Sequence, residues 1–319
     1  MKKKTPFENI SNTRQFAEGY SLIDVIKASM SKPKESKPLV SLPSVKTDLK
    51  NYYSKAPSII WFGHSSYLIH ADGKNILVDP VLSGHASPVN FVIKAFKGSD
   101  TYKVSDMPVI DYLILTHNHY DHLDYKALKA LAPNVKQFII PSGVSNDIKG
   151  LNINKKLITE LQWWDSADLE RNISITSTPA RHFSGRGLKR NYSLWSSYIF
   201  DINGYRIFIG GDSGYDSHFK EIGDKYGPFD IALLECGQYD KMWPEIHSMP
   251  EEVVTEGIEL KAKVVMPIHW GKFALAHHNW HDPINRFVKA AEKEKIIYTT
   301  PMIGEPVVLG TSYPKLKWW

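Results

Sequence analysis

His117-Asn-His-Tyr-Asp-His122 places three histidines and an aspartate within six positions. The apolar run Asp111-Tyr-Leu-Ile-Leu-Thr116 precedes this segment and reads as a strand. A helix follows it: Asp124 stands as N-cap, Ala127, Leu128 and Leu131 keep helical spacing, and Pro133 lies beyond the end. A regular strand sends alternate side chains to opposite faces, so it cannot aim four ligands at one point, whereas a loop leaving a strand can. Imidazole nitrogen and carboxylate oxygen are donors that a divalent ion such as zinc accepts. The chain must therefore fold so that this strand end opens onto a cleft. One loop cannot close two metal sites, and three further candidates each follow a strand-like run. His182 comes after Ile175-Thr-Ser-Thr-Pro-Ala-Arg181, Asp212 after Phe208-Ile-Gly-Gly211, and His269 after Val264-Val-Met-Pro-Ile268.

Short strands separated by turns begin at Ser58. Ile59–Phe62, Ser66–His70 and Asn75–Asp79 form one set, with Asp72-Gly73 as a hairpin signal. A second set starts near Ile173. It takes in Ser196–Phe200, Tyr205–Ile209 after the turn Asn203-Gly204, and Ile231–Leu234, then a helix over Pro250–Leu260 and a strand over Lys263–Ile268. Two strand-rich halves that each carry helices predict an α/β fold, with two sheets face to face and helices outside.

Residues 1–56 differ from the rest. They hold Lys- and Pro-rich pieces such as Ser31–Pro38, and Phe16, Tyr20, Ile23 and Ile26 keep helical spacing within Thr13–Met30. The expectation is an N-terminal arm, partly helical, over 1–56 and a main domain that carries the metal-ligand candidates over 57–319. Whether the arm packs on the domain, reaches a partner or is a partly ordered tail stays open.

No apolar stretch approaches the ~18 residues of a membrane span. The basic residues Met1–Lys4 lead into no apolar segment, so no secretory signal is expected. A single cysteine, Cys236, excludes an internal disulfide framework and fits a reducing compartment, hence a cytoplasmic location. It lies in an apolar run and reads as a buried, inert thiol. The net charge of +5 is spread without a Lys/Arg stripe, so no nucleic-acid partner is expected. That charge favours anionic substrates or an anionic membrane surface.

In order, His117-x-His-x-Asp-His122, His182, Asp212 and His269 resemble the metallo-β-lactamase superfamily. Within it the chain resembles the N-acyl-phosphatidylethanolamine-hydrolysing phospholipase D family and its bacterial relatives. The pieces that carry this are Gly63-His64, Asp79-Pro80, Asn118–Tyr125, Gly211-Asp-Ser-Gly-Tyr215, His247, Pro250-Glu-Glu252 and Ile268-His-Trp-Gly-Lys-Phe-Ala-Leu275, within about residues 57–310. Residues 1–56 and Val89–Val104 are not anchored by it. The resemblance implies a four-layer αββα sandwich, the metallo-β-lactamase fold. It also implies two Zn2+ ions, with other divalent metals open. One would be held by His117, His119 and His182, the other by Asp121, His122 and His269, with Asp212 bridging. Asp121 and His247 are the catalytic candidates: Asp121 to orient hydroxide, His247 to stabilise phosphate or protonate the leaving group.

Asp79 reads either as the acceptor that fixes a ligand histidine's tautomer or as a turn former before Pro80. His64 reads either as a cleft residue or as a loop residue with a local hydrogen bond. His277, His278 and His281 read as a rim or surface cluster. Tyr120, Phe183, Trp195, Tyr239, Trp243, Trp270 and Phe273 would line an acyl groove or pack the core. The implied function is a dinuclear zinc phosphodiesterase of phospholipase D type. It would cleave N-acyl-phosphatidylethanolamine or a related phospholipid to N-acylethanolamine and phosphatidic acid. The alternatives are hydrolysis of a soluble lactone, thioester or small phosphodiester, or a non-catalytic metal-binding scaffold. Expected partners are the phospholipid or small phosphodiester substrate and a peripheral membrane contact, and a homodimer stays open.

Overall fold

The structure is a computed structural model and describes residues 5–89, 92–187 and 189–319. The basic start at 1–4 and residues 90–91 of the unanchored Val89–Val104 segment lie outside the described residues. Six strands open the first sheet: β1 (Ser58–Trp61), β2 (Tyr67–Ala71), β3 (Lys74–Val78), β4 (Ile110–Ile114), β5 (Val135–Pro141) and β6 (Ile158–Leu161). Six more make the second: β7 (Ser166–Glu170), β8 (Ile173–Thr178), β9 (Ser197–Ile202), β10 (Tyr205–Ile209), β11 (Ile231–Glu235) and β12 (Val265–Ile268). Near the C-terminus β13 (Pro306–Val308) returns to pair with β1, giving the order β13-β1-β2-β3-β4-β5-β6 in the first sheet and β12-β11-β10-β9-β8-β7 in the second. The helices are α1 (Leu22–Ser29), α2 (Tyr125–Leu131), α3 (His218–Tyr226), α4 (Pro250–Glu259) and α5 (Asp282–Glu294).

The period-2 alternation of side chains explains the layering. Ile59, Trp61, Tyr67, Ile69, Ile76, Val78, Tyr112 and Ile114 point into the core shared with the second sheet. Their neighbours Ile60, Phe62, Leu68, Leu77, Leu113 and Leu115 point the other way, onto Ala127, Leu128 and Leu131 of α2. Both faces are covered, so the strands read as continuous apolar runs. On the second sheet α4 packs against β11, β12, α3 and α5. The two-sheet sandwich with helices is the expected architecture. The hairpin turns also hold: Asp72-Gly73 (φ 51° and 70°) and Asn203-Gly204 (φ 47° and 86°) take positive φ at both central positions.

The expected helix over Thr13–Met30 is much shorter, because α1 covers only Leu22–Ser29. Residues before it give their backbone donors to the domain rather than to a helix: Arg14 N to Glu245 Oε2 at 2.7 Å and Ala17 N to the Met242 carbonyl at 2.8 Å. Gly19 then turns the chain at φ 83°. Val25 and Ala28 of α1 pack on Met242, Trp243, Ile246 and Ala276. Among the described residues no helix is long and apolar enough to cross a membrane.

Strand direction positions the site. β1, β3 and β4 run the same way within the first sheet, as do β8, β10, β11 and β12 within the second. His64, Asp79 and the 117–122 loop follow the C-terminal ends of the former. His182, Asp212 and His269 follow those of the latter, and Glu235 is the last residue of β11.

Candidate metal centre

The loop after β4 is fixed at its far end by the cap of α2. Asp124 Oδ1 accepts from Ala127 N at 3.0 Å, while Oδ2 accepts from Leu82 N and Ser83 N at 3.1 and 2.8 Å. One carboxylate thus both starts the helix and ties it to the chain leaving β3. Between these anchors the histidines turn inward: His117 and His122 are buried.

Three imidazole nitrogens converge. His119 Nδ1 lies 2.9 Å from His117 Nε2 and 3.2 Å from His182 Nε2. Donors on one tetrahedral ion with bonds of about 2.0–2.1 Å stand roughly 3.3 Å apart, so this spacing suits a shared cation. His182 Nδ1 is 2.8 Å from the Ile246 carbonyl, which only accepts. Its proton is therefore on Nδ1, and Nε2 keeps a lone pair. From the arm, Asn9 pairs with the backbone of the same residue: its Nδ2 donates to His182 O at 2.8 Å and its Oδ1 accepts from His182 N at 3.1 Å.

A second group surrounds Asp212. His122 Nε2 is 3.1 Å from Asp212 Oδ2, His269 Nδ1 is 3.1 Å from Asp212 Oδ1, and His117 Nε2 and His182 Nε2 are each 3.8 Å from Asp212 Oδ2. His64 Nε2 donates to Asp121 Oδ2 at 2.9 Å, so its hydrogen bond is long-range and reaches a cleft residue from a fully buried position behind it. The ligating atoms of His64, Asp121, His122 and His269 lie within 4.8 Å of one another, as do those of His117, His122 and Asp212. Asp79 Oδ2 takes the His122 Nδ1 proton at 2.7 Å, which turns the Nε2 lone pair towards Asp212. Asp79 also accepts from Thr116 N and Oγ1 at 2.9 and 2.6 Å. Asp79 therefore fills the tautomer-fixing role.

The donors fit a metal. His122 Nε2, His269 Nε2 and both oxygens of Asp212 are buried with no hydrogen-bond partner among the described residues. The close His122–Asp212 pair is misaligned for a hydrogen bond. Such orphans are rare in folded proteins and mark an ion's place. Burial pushes His117, His182 and His269 well below the usual imidazole range and His119 down to about 4. These rings are neutral, the state a ligand needs. Burial opposes the charged forms of His122 and Asp212 too, but their opposite charges outweigh it: Asp212, Asp121 and Asp79 raise His122, and His122 leads in lowering Asp212; a cation bound beside Asp212 would take the place of the proton this puts on His122 Nε2 and free its lone pair. Three backbones at this edge take left-handed conformations, His64 at φ 56°, Asp79 at 40° and His269 at 67°. Each costs roughly 1–3 kcal/mol, which the surrounding packing sustains.

His247 faces the same cleft. Its ring stands edge-on to His182 at 5.0 Å and stacks on His269 at 5.4 Å. Its Nδ1 is 2.8 Å from Oε2 of the buried Glu235. Burial disfavours the charge on His247, but Glu235 outweighs it and lifts His247 to about 9. Burial raises Glu235 to about 7. Sequence reasoning missed Glu235; the available signal was a lone carboxylate ending an apolar strand.

The cleft holds about 240 Å³. Phe16, Leu22, Val25, Phe183, Trp243, Ile246 and Leu275 give it apolar walls, and Arg190 is the one Lys or Arg among its described lining residues. Larger surface hollows exist, such as one around Asn118, Arg186 and Tyr192, but no imidazole lines that one. Of the candidate aromatics, Phe183 and Trp243 line the cleft; Trp195, Trp270 and Phe273 are buried. In the late cluster His278 Nε2 accepts from Gln238 N at 2.9 Å, and His277 Nδ1 donates to Asp240 at 2.8 Å. His281 sits by Glu35 at 3.3 Å. Among the described residues none of the three joins a metal-capable group.

Residues 74–270 match a family model described as the beta-lactamase superfamily domain. An uncharacterised protein of Mycobacterium tuberculosis is 35% identical over 288 residues, 89% of this chain and 77% of that protein. N-acyl-phosphatidylethanolamine-hydrolyzing phospholipase D 1 of Caenorhabditis elegans is 32% identical over 263 residues, 77% of this chain and 74% of that protein. Among solved structures, a metallo hydrolase from Ignicoccus hospitalis superposes with a TM-score of 0.61 at 20% identity, covering 81% of this chain and 100% of that one.

Proposed function

The chain belongs to the beta-lactamase superfamily and is a metal-dependent hydrolase, and from that membership we propose that it is a phosphodiesterase of phospholipase D type. Its substrate in this reading is N-acyl-phosphatidylethanolamine or a related phospholipid, and its products are an N-acylethanolamine and phosphatidic acid. The observation that carries the reading is the buried set of partnerless donors around Asp212, in a chain whose relatives include the Caenorhabditis elegans phospholipase D.

His117, His119 and His182 would hold one divalent ion, Asp121, His122 and His269 a second, and Asp212 would bridge them; zinc suits this His-rich set. Bound there, the ions would supply a water of lowered pKa and offset charge on the phosphate oxygens. Asp121, held by His64 and lining the cleft, orients the attacking water. His247 gives its proton to the departing alcohol oxygen. The phosphorus–oxygen bond to the alcohol breaks as that to water forms. The electron pair leaves with the alcohol oxygen, and the attacking water releases one proton to solvent.

The apolar cleft walls suit an acyl chain, and Arg190 suits a phosphate. Ile23 and Ile26 on α1 and Met30 just after it are exposed beside the mouth, which supports a peripheral contact with lipid. The test is a hydrolysis screen of zinc-loaded protein on N-acyl-phosphatidylethanolamine, simple diesters, lactones and thioesters, with Asp121→Asn as blank. Phospholipid cleavage absent from the blank is expected. Turnover confined to lactones or thioesters would replace this reading. Ile23→Glu with Ile26→Glu should reduce sedimentation with anionic vesicles and spare hydrolysis of a soluble diester.

A further inference from the structure

We propose that Glu235 is the positioning residue of the leaving-group acid: it holds His247 with Nδ1 turned inward and Nε2 presented to the reacting phosphate. The inference rests on the phosphodiesterase reading for its chemistry, and on geometry alone for the orientation.

Glu235 ends β11, between β10 and β12, opposite Ile268 and so beside His269. Its side chain is 2% exposed. A carboxylate sunk at a strand end costs several kcal/mol unless its lone pairs are used. Both oxygens here serve one loop: Oε2 accepts from His247 Nδ1 at 2.8 Å, and Oε1 accepts from Ser248 N at 2.8 Å. Gripping two consecutive residues fixes the ring's backbone as well as the ring. The loop is pinned on either side. Ile246 O accepts from His182 Nδ1 at 2.8 Å, and Ser248 Oγ lies 2.9 Å from the carbonyl of Ser213, next to Asp212. Gly214 lets the two segments touch, since a Cβ there would lie 2.0 Å from Glu245 O.

With Nδ1 committed to Glu235, only Nε2 remains to exchange a proton with substrate. Ligating atoms of His182, Asp212 and His247 lie within 4.8 Å of one another, so the ring stands beside residues that would hold the metal and within reach of a phosphate bound there. On bond cleavage the Nε2 proton goes to the departing oxygen with the bond's electron pair on that oxygen. His247 is left neutral, with its remaining proton on Nδ1 against Glu235.

The experiment uses the full zinc-loaded chain and the variants Glu235→Gln and His247→Ala, all checked for equal metal content. Gln keeps an oxygen for Ser248 N and turns an NH2 at His247 Nδ1, so the ring loses its acidic partner. Diesters with p-nitrophenyl and with simple alkyl leaving groups are compared, because p-nitrophenolate departs without a proton. In both variants the loss should grow by a factor of about 10² on going to the alkyl ester. Equal losses on both esters would mean a merely structural role and overturn the proposal. Nitrogen NMR gives an arm that needs no turnover: the wild-type His247 signal, identified by its absence in His247→Ala, should show a proton on Nδ1. A bare Nδ1 there would also overturn it. Wild-type protein that cleaves no diester would sink the phosphodiesterase reading, while the NMR result would still decide the orientation.

Discussion

Replacing Asp79 by Asn should weaken metal binding about 10- to 100-fold while the chain still folds. Asp79 is fully buried, and Oδ1 accepts from Thr116 N at 2.9 Å, so the oxygen of the new amide must stay on that side. The NH2 then takes the place of Oδ2, which now faces His122 Nδ1 at 2.7 Å and Thr116 Oγ1 at 2.6 Å. Two N–H donors cannot meet at that distance, so His122 must move its proton to Nε2. That is the nitrogen aimed at Asp212, and its lone pair is lost to the metal. The expected loss corresponds to about 1.4–2.7 kcal/mol of binding. The effect on folding is smaller, because removing a buried charge relieves desolvation as one charge-assisted bond is lost. Competition for zinc with a chromophoric chelator measures the first, and melts with and without metal separate it from the second. Wild-type affinity in the variant would refute the tautomer argument and leave Asp79 as a turn former.

Stripping the metal should lower the melting temperature, since both Asp212 oxygens and Nε2 of His122 and His269 then lie buried without hydrogen-bond partners among the described residues; free metal at a thousand times its Kd would restore about 4 kcal/mol. Lys272 is buried against the carbonyls of Phe62 and Val81, and burial takes it down to about 8 from 10.5. Its folded pKa is below the unfolded one, so between about pH 8 and 10.5 the unfolded chain binds more protons and stability rises with pH, by at most about 3 kcal/mol. Urea melts across pH 7–9.5 should show that rise, and Lys272→Met should flatten it. Cys236 is fully buried, and burial raises its thiol well above the usual range, so a disulfide reagent should label it only after denaturation.

The sequence made legible whatever depends on local pattern. Short apolar runs between turns marked most strands, Asp-Gly and Asn-Gly the hairpins, and the 117–122 string a loop between strand and helix. The convergence of His182, Asp212 and His269 was legible because each follows a strand, and parallel strands bring such ends to one edge. Contacts made across the fold by single residues were not. Glu235 reads as one polar residue in a buried run, Asn9 as one polar residue in an arm, and neither spacing nor composition links them to His247 or His182. The helical spacing of Phe16 and Tyr20 misled for the same reason: long-range bonds from Arg14 and Ala17 to the domain outweigh local helix formation there.

The grip of Asn9 on His182 reaches across 173 positions, far outside the matched span 74–270. A chain begun at Pro57 would keep every strand of both sheets, yet the ligand loop would lose the bonds that Asn9 makes to His182 and that Asn12 and Thr13 accept from Arg181, and the Glu245 loop next to His247 would lose Arg14. Grafting the histidine-rich strand ends into another scaffold therefore transfers the ligands without the brace that steadies one of them.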